Sequence, residues 1–196
     1  MTTHDGAEVI AIEEHYWNRT VAKHYNIEEQ PKTTLDRLFD LGEERLKEMD
    51  ATGIDFQVLS HGAPATQRMD PETAINMARL ANDELQETIL IHPERYAGFA
   101  ALPTPEPKEA ANELERTVIK YGFKGAMVHG LTNGVFFDDK RFWPIFERAE
   151  ILDVPLYIHP ALPHQAVIDV YFQDYAVKFP WLLRAGWGYT IETATQ

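Results

Sequence analysis

Val154-Pro155-Leu156-Tyr157-Ile158-His159-Pro160 is the stretch on which the fold turns. Residues 154–158 form a short apolar run that reads as a buried strand. A histidine closes it, and the proline that follows keeps that histidine extended. The first apolar run has the same form: residues 8–13, Glu-Val-Ile-Ala-Ile-Glu, lead into Glu14 and His15. Both runs place an imidazole where a strand would leave its sheet.

Between them, short apolar runs alternate with amphipathic stretches. Residues 54–60, 96–102 and 123–128 read as three further strands. Leu35, Leu38, Phe39, Leu46 and Met49 follow helical spacing, with Gly53 as a stop. Asp70-Pro71-Glu72 is a strong helix start, and Ala74, Met77, Ala78, Ala81, Leu85 and Ile89 carry that helix's buried stripe. Ala110, Leu114 and Val118 mark a third helix ended by Tyr121-Gly122. Phe142, Ile145, Phe146 and Ala149 mark a fourth. Residues 16–33, with Pro31, read as a long polar loop, and residues 181–196 as the start of one more helix. Strands alternating with helices imply parallel β/α units. Five units in series fit either a doubly wound sheet or a β/α barrel, and a complete barrel has eight over about 250 residues.

The bulk composition narrows the chemistry. With 44% apolar and 25% charged residues in 196, the chain is an ordinary globular protein, one domain or a piece of a larger one. No apolar stretch is long enough to span a membrane. No basic-then-apolar leader opens the sequence, so a cytoplasmic location is expected. The absence of cysteine excludes disulfides and thiolate metal sites. Any metal must be held by His, Asp and Glu, which suits zinc, manganese or iron. The net charge of −13 argues against nucleic acid and anionic membrane surfaces as partners. An anionic substrate would need a metal or a few placed cations.

Side chains on a strand alternate faces, so Val9, Ala11, Glu13 and His15 are expected on one side and Ile10, Ile12 and Glu14 on the other. A carboxylate and an imidazole two residues apart at a strand exit can ligate one cation; the plainer reading is a strand running into a polar loop. His159 alone is a rim histidine, and gains weight by sharing a rim with Glu13 and His15, since parallel strands open their C-terminal ends on one face. His61 and His129 also fall at strand exits and, with Ala63 in the loop after His61, are candidates for substrate contact. His92 reads as a helix-end residue. His4, His24 and His164 read as exposed. Neither phosphate-binding glycine loop nor a Gly-x-Ser-x-Gly elbow occurs.

Taken together, Ile12-Glu13-Glu14-His15, the Arg95–Pro103 segment Arg-Tyr-Ala-Gly-Phe-Ala-Ala-Leu-Pro, Gly122-Phe123-Lys124-Gly125-Ala126, Phe142-Trp143-Pro144-Ile145-Phe146-Glu147 and Asp153-Val154-Pro155-Leu156-Tyr157-Ile158-His159-Pro160 resemble the metal-dependent decarboxylase branch of the amidohydrolase superfamily. The resemblance implies a TIM-type (β/α)8 barrel, here a single domain over residues 1–196 with about five β/α units and its C-terminal part missing. It implies Glu13, His15 and His159 as metal ligands and one divalent ion, Zn2+ or Mn2+. The family's further histidine after strand 6 and aspartate after strand 8, the proton donor, would fall beyond Gln196. Where members often carry Asn-Gly, this chain has His129-Gly130.

The implied activity is non-oxidative decarboxylation of a small anionic aromatic acid such as a dihydroxybenzoate. A metal-dependent hydrolase of an ester, lactone or amide uses the same ligands and is the alternative. A third reading, of another class, is a catalytically incomplete half-barrel that depends on association. An open parallel edge invites pairing, so a homo-oligomer is expected.

Overall fold

The computed structural model describes residues 6–25, 31–161, 163–176 and 178–179. The helix expected over residues 181–196 and the site of His4 lie outside them. The elements run β1 (Ile10–Tyr16), α1 (Arg19–Ala22), α2 (Lys32–Phe39), α3 (Glu43–Thr52), β2 (Phe56–His61), α4 (Pro71–Ile91), β3 (Tyr96–Gly98), α5 (Pro107–Tyr121), β4 (Ala126–His129), α6 (Trp143–Leu152), β5 (Leu156–His159) and α7 (Gln165–Val167). A π-helical turn, Ile168–Phe172, and a last short helix, Gln173–Ala176, follow.

All strand pairs are parallel. β1, β2 and β3 form one sheet and β4 pairs with β5. The two groups are joined by the Ala100–Ala126 bridge and by bonds from Ala100 N to Gly125 O and from Lys124 N to Gly98 O, each 2.9 Å. The spatial order is therefore the chain order. A doubly wound sheet reverses its order at a switch point, whereas a barrel lays its strands down consecutively. At Gly125 (φ 140°) a Cβ would run into the carbonyl oxygen of Pro155, so only glycine allows β4 and β5 to approach this closely.

The strands separate two cores. On the helical side Leu59, Leu85, Tyr96, Ala100, Leu114, Ala126, Val128, Phe142 and Ile145 belong to one large cluster. On the other side Val58, Ala97, Phe99 and Met127 form a smaller one, with Phe56 and Tyr157 against it. Between α4 and α5 runs a polar clamp. Buried Asn82 donates to Ala101 O (2.9 Å) and Glu113 Oε1 (2.7 Å), and Arg116 ties Glu113 to Asp83. A carboxylate as buried as Glu113 (3% exposed) is tolerable because it is paired and hydrogen-bonded.

Several expectations need correction. The described part of residues 16–33, namely 16–25 and 31–33, is not simply a loop. Tyr16 still belongs to β1, and Asn18 caps α1 by accepting from Thr20 N (2.8 Å) and Val21 N (3.1 Å). The helical spacing from Leu35 to Met49 belongs to two helices. Asp40 ends the first, and its carboxylate accepts from Gly42 N (3.2 Å) and Arg45 N (2.7 Å), which starts the second. The third strand is shorter than expected, ending at Gly98. In β1 the register slips. Ala11 pairs with Gln57 but Glu14 with Leu59, so Ile12 and Glu13 together stand opposite Val58. Partners in a parallel pair face the same way, and Gln57 lies beside Tyr96 of the helical side. Ala11 is thus turned away from His15 rather than sharing its face.

Candidate metal centre

Beyond the bulge β1 alternates regularly, and its exit is fixed from the helical side. Arg45 donates to His15 O (2.7 Å) and to Gln57 Oε1 (3.2 Å), while Gln57 Nε2 donates to Glu14 Oε2 (3.2 Å). Burial pushes the Glu14 carboxyl up, opposed by Arg45 and aided by Glu13. With Glu14 committed outward, Glu13 and His15 turn inward. His15 pairs in register with Ser60, and His159 with His129.

One ligand atom each from Glu13, His15 and His159 lie within 4.8 Å of one another. The Nε2 atoms of His15 and His159 are 3.1 Å apart, and His159 Nε2 is 3.5 Å from Glu13 Oε1. The hydrogen bonds at the far side of each ring fix the tautomers. His159 Nδ1 donates to Pro160 O (2.6 Å), because a carbonyl can only accept. His15 Nδ1 lies 2.9 Å from Ser60 Oγ, which reaches Glu14 O at 3.4 Å; with Ser60 donating to that carbonyl, His15 donates to Ser60. Both Nε2 atoms are then acceptors aimed at one place. Burial, reinforced by His159, lowers the His15 pKa to about 4 against the pull of Glu13, so the ring is neutral at pH 7.

Two acceptor nitrogens 3.1 Å apart repel each other unless something positive lies between them. That separation is what two nitrogens show when each is about 2.1 Å from one ion at roughly a right angle. The donor set, one carboxylate and two neutral imidazoles with no sulfur, fits a divalent ion such as zinc or manganese. The residues present fit the group.

The remaining candidates divide. His129, 2% exposed, joins the cluster by ring contact, its centroid 5.0 Å from that of His159 and 5.8 Å from that of His15. Its Nε2 donates to His61 O (2.8 Å), its backbone N–H donates to Gln67 Oε1, and burial beside the other two imidazoles holds its pKa well below the usual value. His61 is a correction. It pairs with Tyr16 on the helical side, accepts from Asn18 N at Nε2 (3.1 Å) and donates from Nδ1 to Gly62 O (2.8 Å). With both nitrogens taken by backbone, it pins the β1 exit loop and has none to offer a substrate. Ala63 sits half-buried in the loop after β2 and contributes only a methyl and backbone. His92 caps the C-terminus of α4, and His24 and His164 are exposed, all as expected.

Two residues escaped the sequence reading. Ser60 orients His15, and the Tyr157 hydroxyl donates to Glu13 Oε2, which also raises the phenol's pKa. The signal for both was alternation: each lies on the inner face, one beside a candidate ligand and one two residues before another. A cavity of about 770 Å³ lies on the opposite side of β1 and β2, among Asp36, Arg37, Asp40, Arg45 and Glu48. Glu14, His15 and Gln57 also line it, so it reaches the β1 exit from the Arg45 side.

Consecutive parallel strands with a carboxylate and imidazoles gathered at their exits define a barrel-type protein with a metal-competent mouth. Residues 11–184 match the amidohydrolase family model, and the chain belongs to that family. A gamma-resorcylate decarboxylase from Polaromonas is 40% identical over 165 residues, covering 81% of this chain and 49% of the relative. The structure of a dihydroxybenzoic acid decarboxylase from Polaromonas, with bound manganese and 2-nitroresorcinol, matches with a TM-score of 0.85 at 37% identity, covering 96% of this chain and 58% of that one. A 5-carboxyvanillate decarboxylase from Novosphingobium aromaticivorans, with manganese and 4-hydroxy-3-methoxy-5-nitrobenzoic acid, matches at 0.86 and 30%, covering 97% and 59%. The fold is of the TIM-barrel type. The chain spans about half the length of the curated relatives it matches.

Proposed function

We propose that the protein is a metal-dependent, non-oxidative decarboxylase of a small aromatic acid, with a dihydroxybenzoate as the type of substrate. The observation that carries this is the convergence of Glu13, His15 and His159, from β1 and β5, in a chain similar to gamma-resorcylate decarboxylases. Those three residues would hold one divalent ion, manganese or zinc. Bound there, it would act as Lewis acid and template for a carboxylate and a neighbouring phenolic oxygen.

The chain's own side chains support that role. His15 is neutral at pH 7 and offers its nitrogen without first losing a proton. Ser60 and the Pro160 carbonyl hold the two rings in the tautomer that presents Nε2. Glu13 offsets part of the ion's charge. Val58, Phe99 and Met127 lie on the same face of the strands and give an aromatic ring an apolar surface to rest on. We also propose that the protein works in the cytoplasm as a homo-oligomer, for which sedimentation at several concentrations is the check.

The test is product analysis on protein purified at the full length of its reading frame. With 2,6-dihydroxybenzoate and Mn2+, carbon dioxide and resorcinol should form, the resorcinol carrying no oxygen from labelled water, and a chelator should stop the reaction. Cleavage of an ester, lactone or amide with label incorporated would replace the lyase by a hydrolase. Turnover that survives verified metal removal would refute the metal's part.

A further inference from the structure

We propose that Tyr157 is a positioning residue for the metal centre, holding the Glu13 carboxylate so that Oε1 alone faces the ion. This deepens the metal-dependent reading above and rests on it. Glu13 and Tyr157 are 144 positions apart in sequence, on β1 and β5, and the phenol donates to Glu13 Oε2. The other carboxylate oxygen is the one that lies 3.5 Å from His159 Nε2. One oxygen is thus directed at the phenol and the other into the cluster.

Without that bond Glu13 would be the least constrained member of the trio. Its side chain is 50% exposed, against 11% for His159. Each imidazole already has a fixing partner, Ser60 for His15 and the Pro160 carbonyl for His159. Tyr157 supplies the matching constraint for the carboxylate. Its own ring is held in turn, packed beside Phe99 (centroids 6.3 Å apart) and level with Met127 in the β4–β5 register. Partners of this kind orient a ligand and tune its basicity, and their loss costs about 10–100-fold in metal affinity. Because Tyr157 stands two residues before His159 on one strand, a single β5 pleat delivers one ligand directly and steers another on β1.

The experiment is calorimetric titration with Mn2+ alone, on purified wild-type protein, Tyr157→Phe, Glu13→Ala and the double variant, with a melting curve for each. Tyr157→Phe keeps the ring and removes only the hydroxyl. The expected result is roughly 10–100-fold weaker Mn2+ binding with an unchanged melting curve. Added to Glu13→Ala, the same change should alter the residual affinity by less than about twofold, because the residue acts through Glu13. Wild-type affinity in Tyr157→Phe would overturn the inference and leave the metal reading standing. So would an equal loss in the Glu13→Ala background, since the hydroxyl would then act by another route. A wild-type protein that takes up no Mn2+ would overturn the metal reading and this inference with it.

Discussion

Leu59 and Ser60 are neighbours on β2 and both have no exposed surface, yet they serve opposite ends. Leu59 points into the helical layer among Leu85, Tyr96 and Val128, where a single apolar cluster runs from β1 to α6. Ser60 points the other way and hydrogen-bonds the ring of His15. The same contrast recurs across the sheet. The outer face is apolar apart from the Asn82–Glu113 clamp, the Glu14–Gln57–Arg45 group and His61, each of them hydrogen-bonded. The inner face grades from Phe56, Val58 and Met127 to Ser60, His15, His129 and His159 at the strand exits. One face stores stability and the other spends its strand ends on groups that attract a cation.

If that division is right, substitutions on the two faces should separate cleanly. The largest effect is expected from His159→Ala. It removes a ligand, so Mn2+ affinity should fall by more than the roughly 100-fold that outer partners reach, while the melting temperature of the metal-free protein changes little. Titration and melting on one sample check both halves. Leu114→Ala is the reverse case. Leu114 has no exposed surface, and its truncation should cost about 2–5 kcal/mol, read by denaturant unfolding, a large share of a typical 5–15.

A pH titration sharpens the comparison further. Burial lowers the His61 pKa to about 4, from 6.5. Between those values the unfolded chain binds the proton and the folded chain does not. Stability is therefore full above about pH 6.5 and falls as the pH drops toward 4, by up to about 1.4 kcal/mol per pH unit for this residue. His61→Gln should flatten that part of the profile, and a profile unchanged by the substitution would show that His61 is not its source. The smallest effect is expected from Ser60→Ala. Losing the hydroxyl should weaken Mn2+ binding about 10-fold, or 1.4 kcal/mol, with the melting curve nearly unmoved.

The strand-and-helix order and the helix start at Asp70 could be read from the sequence, because each depends on local periodicity. Glu13 and His15 stood out by an i, i+2 spacing and His159 by its strand exit, but a ligand set of all three was implied only by the family resemblance. His61 could not be placed by its position at a strand exit, since that says nothing of which face it takes. Phase decides it: with Val58 and Ser60 inward, His61 must go outward. The β1 bulge had no local signal, because Ile-Ala-Ile-Glu alternates plausibly in either register and only pairing with β2 chooses. The break at Asp40 was hidden for a similar reason, as Leu38, Phe39 and Leu46 keep helical spacing across two helices. The Tyr157–Glu13 bond joins residues from opposite ends of the described chain and follows only once the strands are arranged in order.

The bulge sets where lengths are counted from in β1. Downstream of it, Arg45, Gln57 and Ser60 grip Glu14 and His15; upstream, Ile10 and Ile12 are about half exposed. The strand is thus anchored at its exit, and its spare residue is taken up at its loosely held entrance. Removing Ile12 would restore plain alternation and leave Glu13 and His15 inward. Removing Glu14 would draw Glu13 into the outward place opposite Leu59 and take the carboxylate off the inner face. Two deletions two positions apart should therefore have opposite consequences for Mn2+ binding, and equal losses from both would show that the exit is not the anchor. Related chains, on this view, are free to vary in length before Glu13 and held to strict spacing after it.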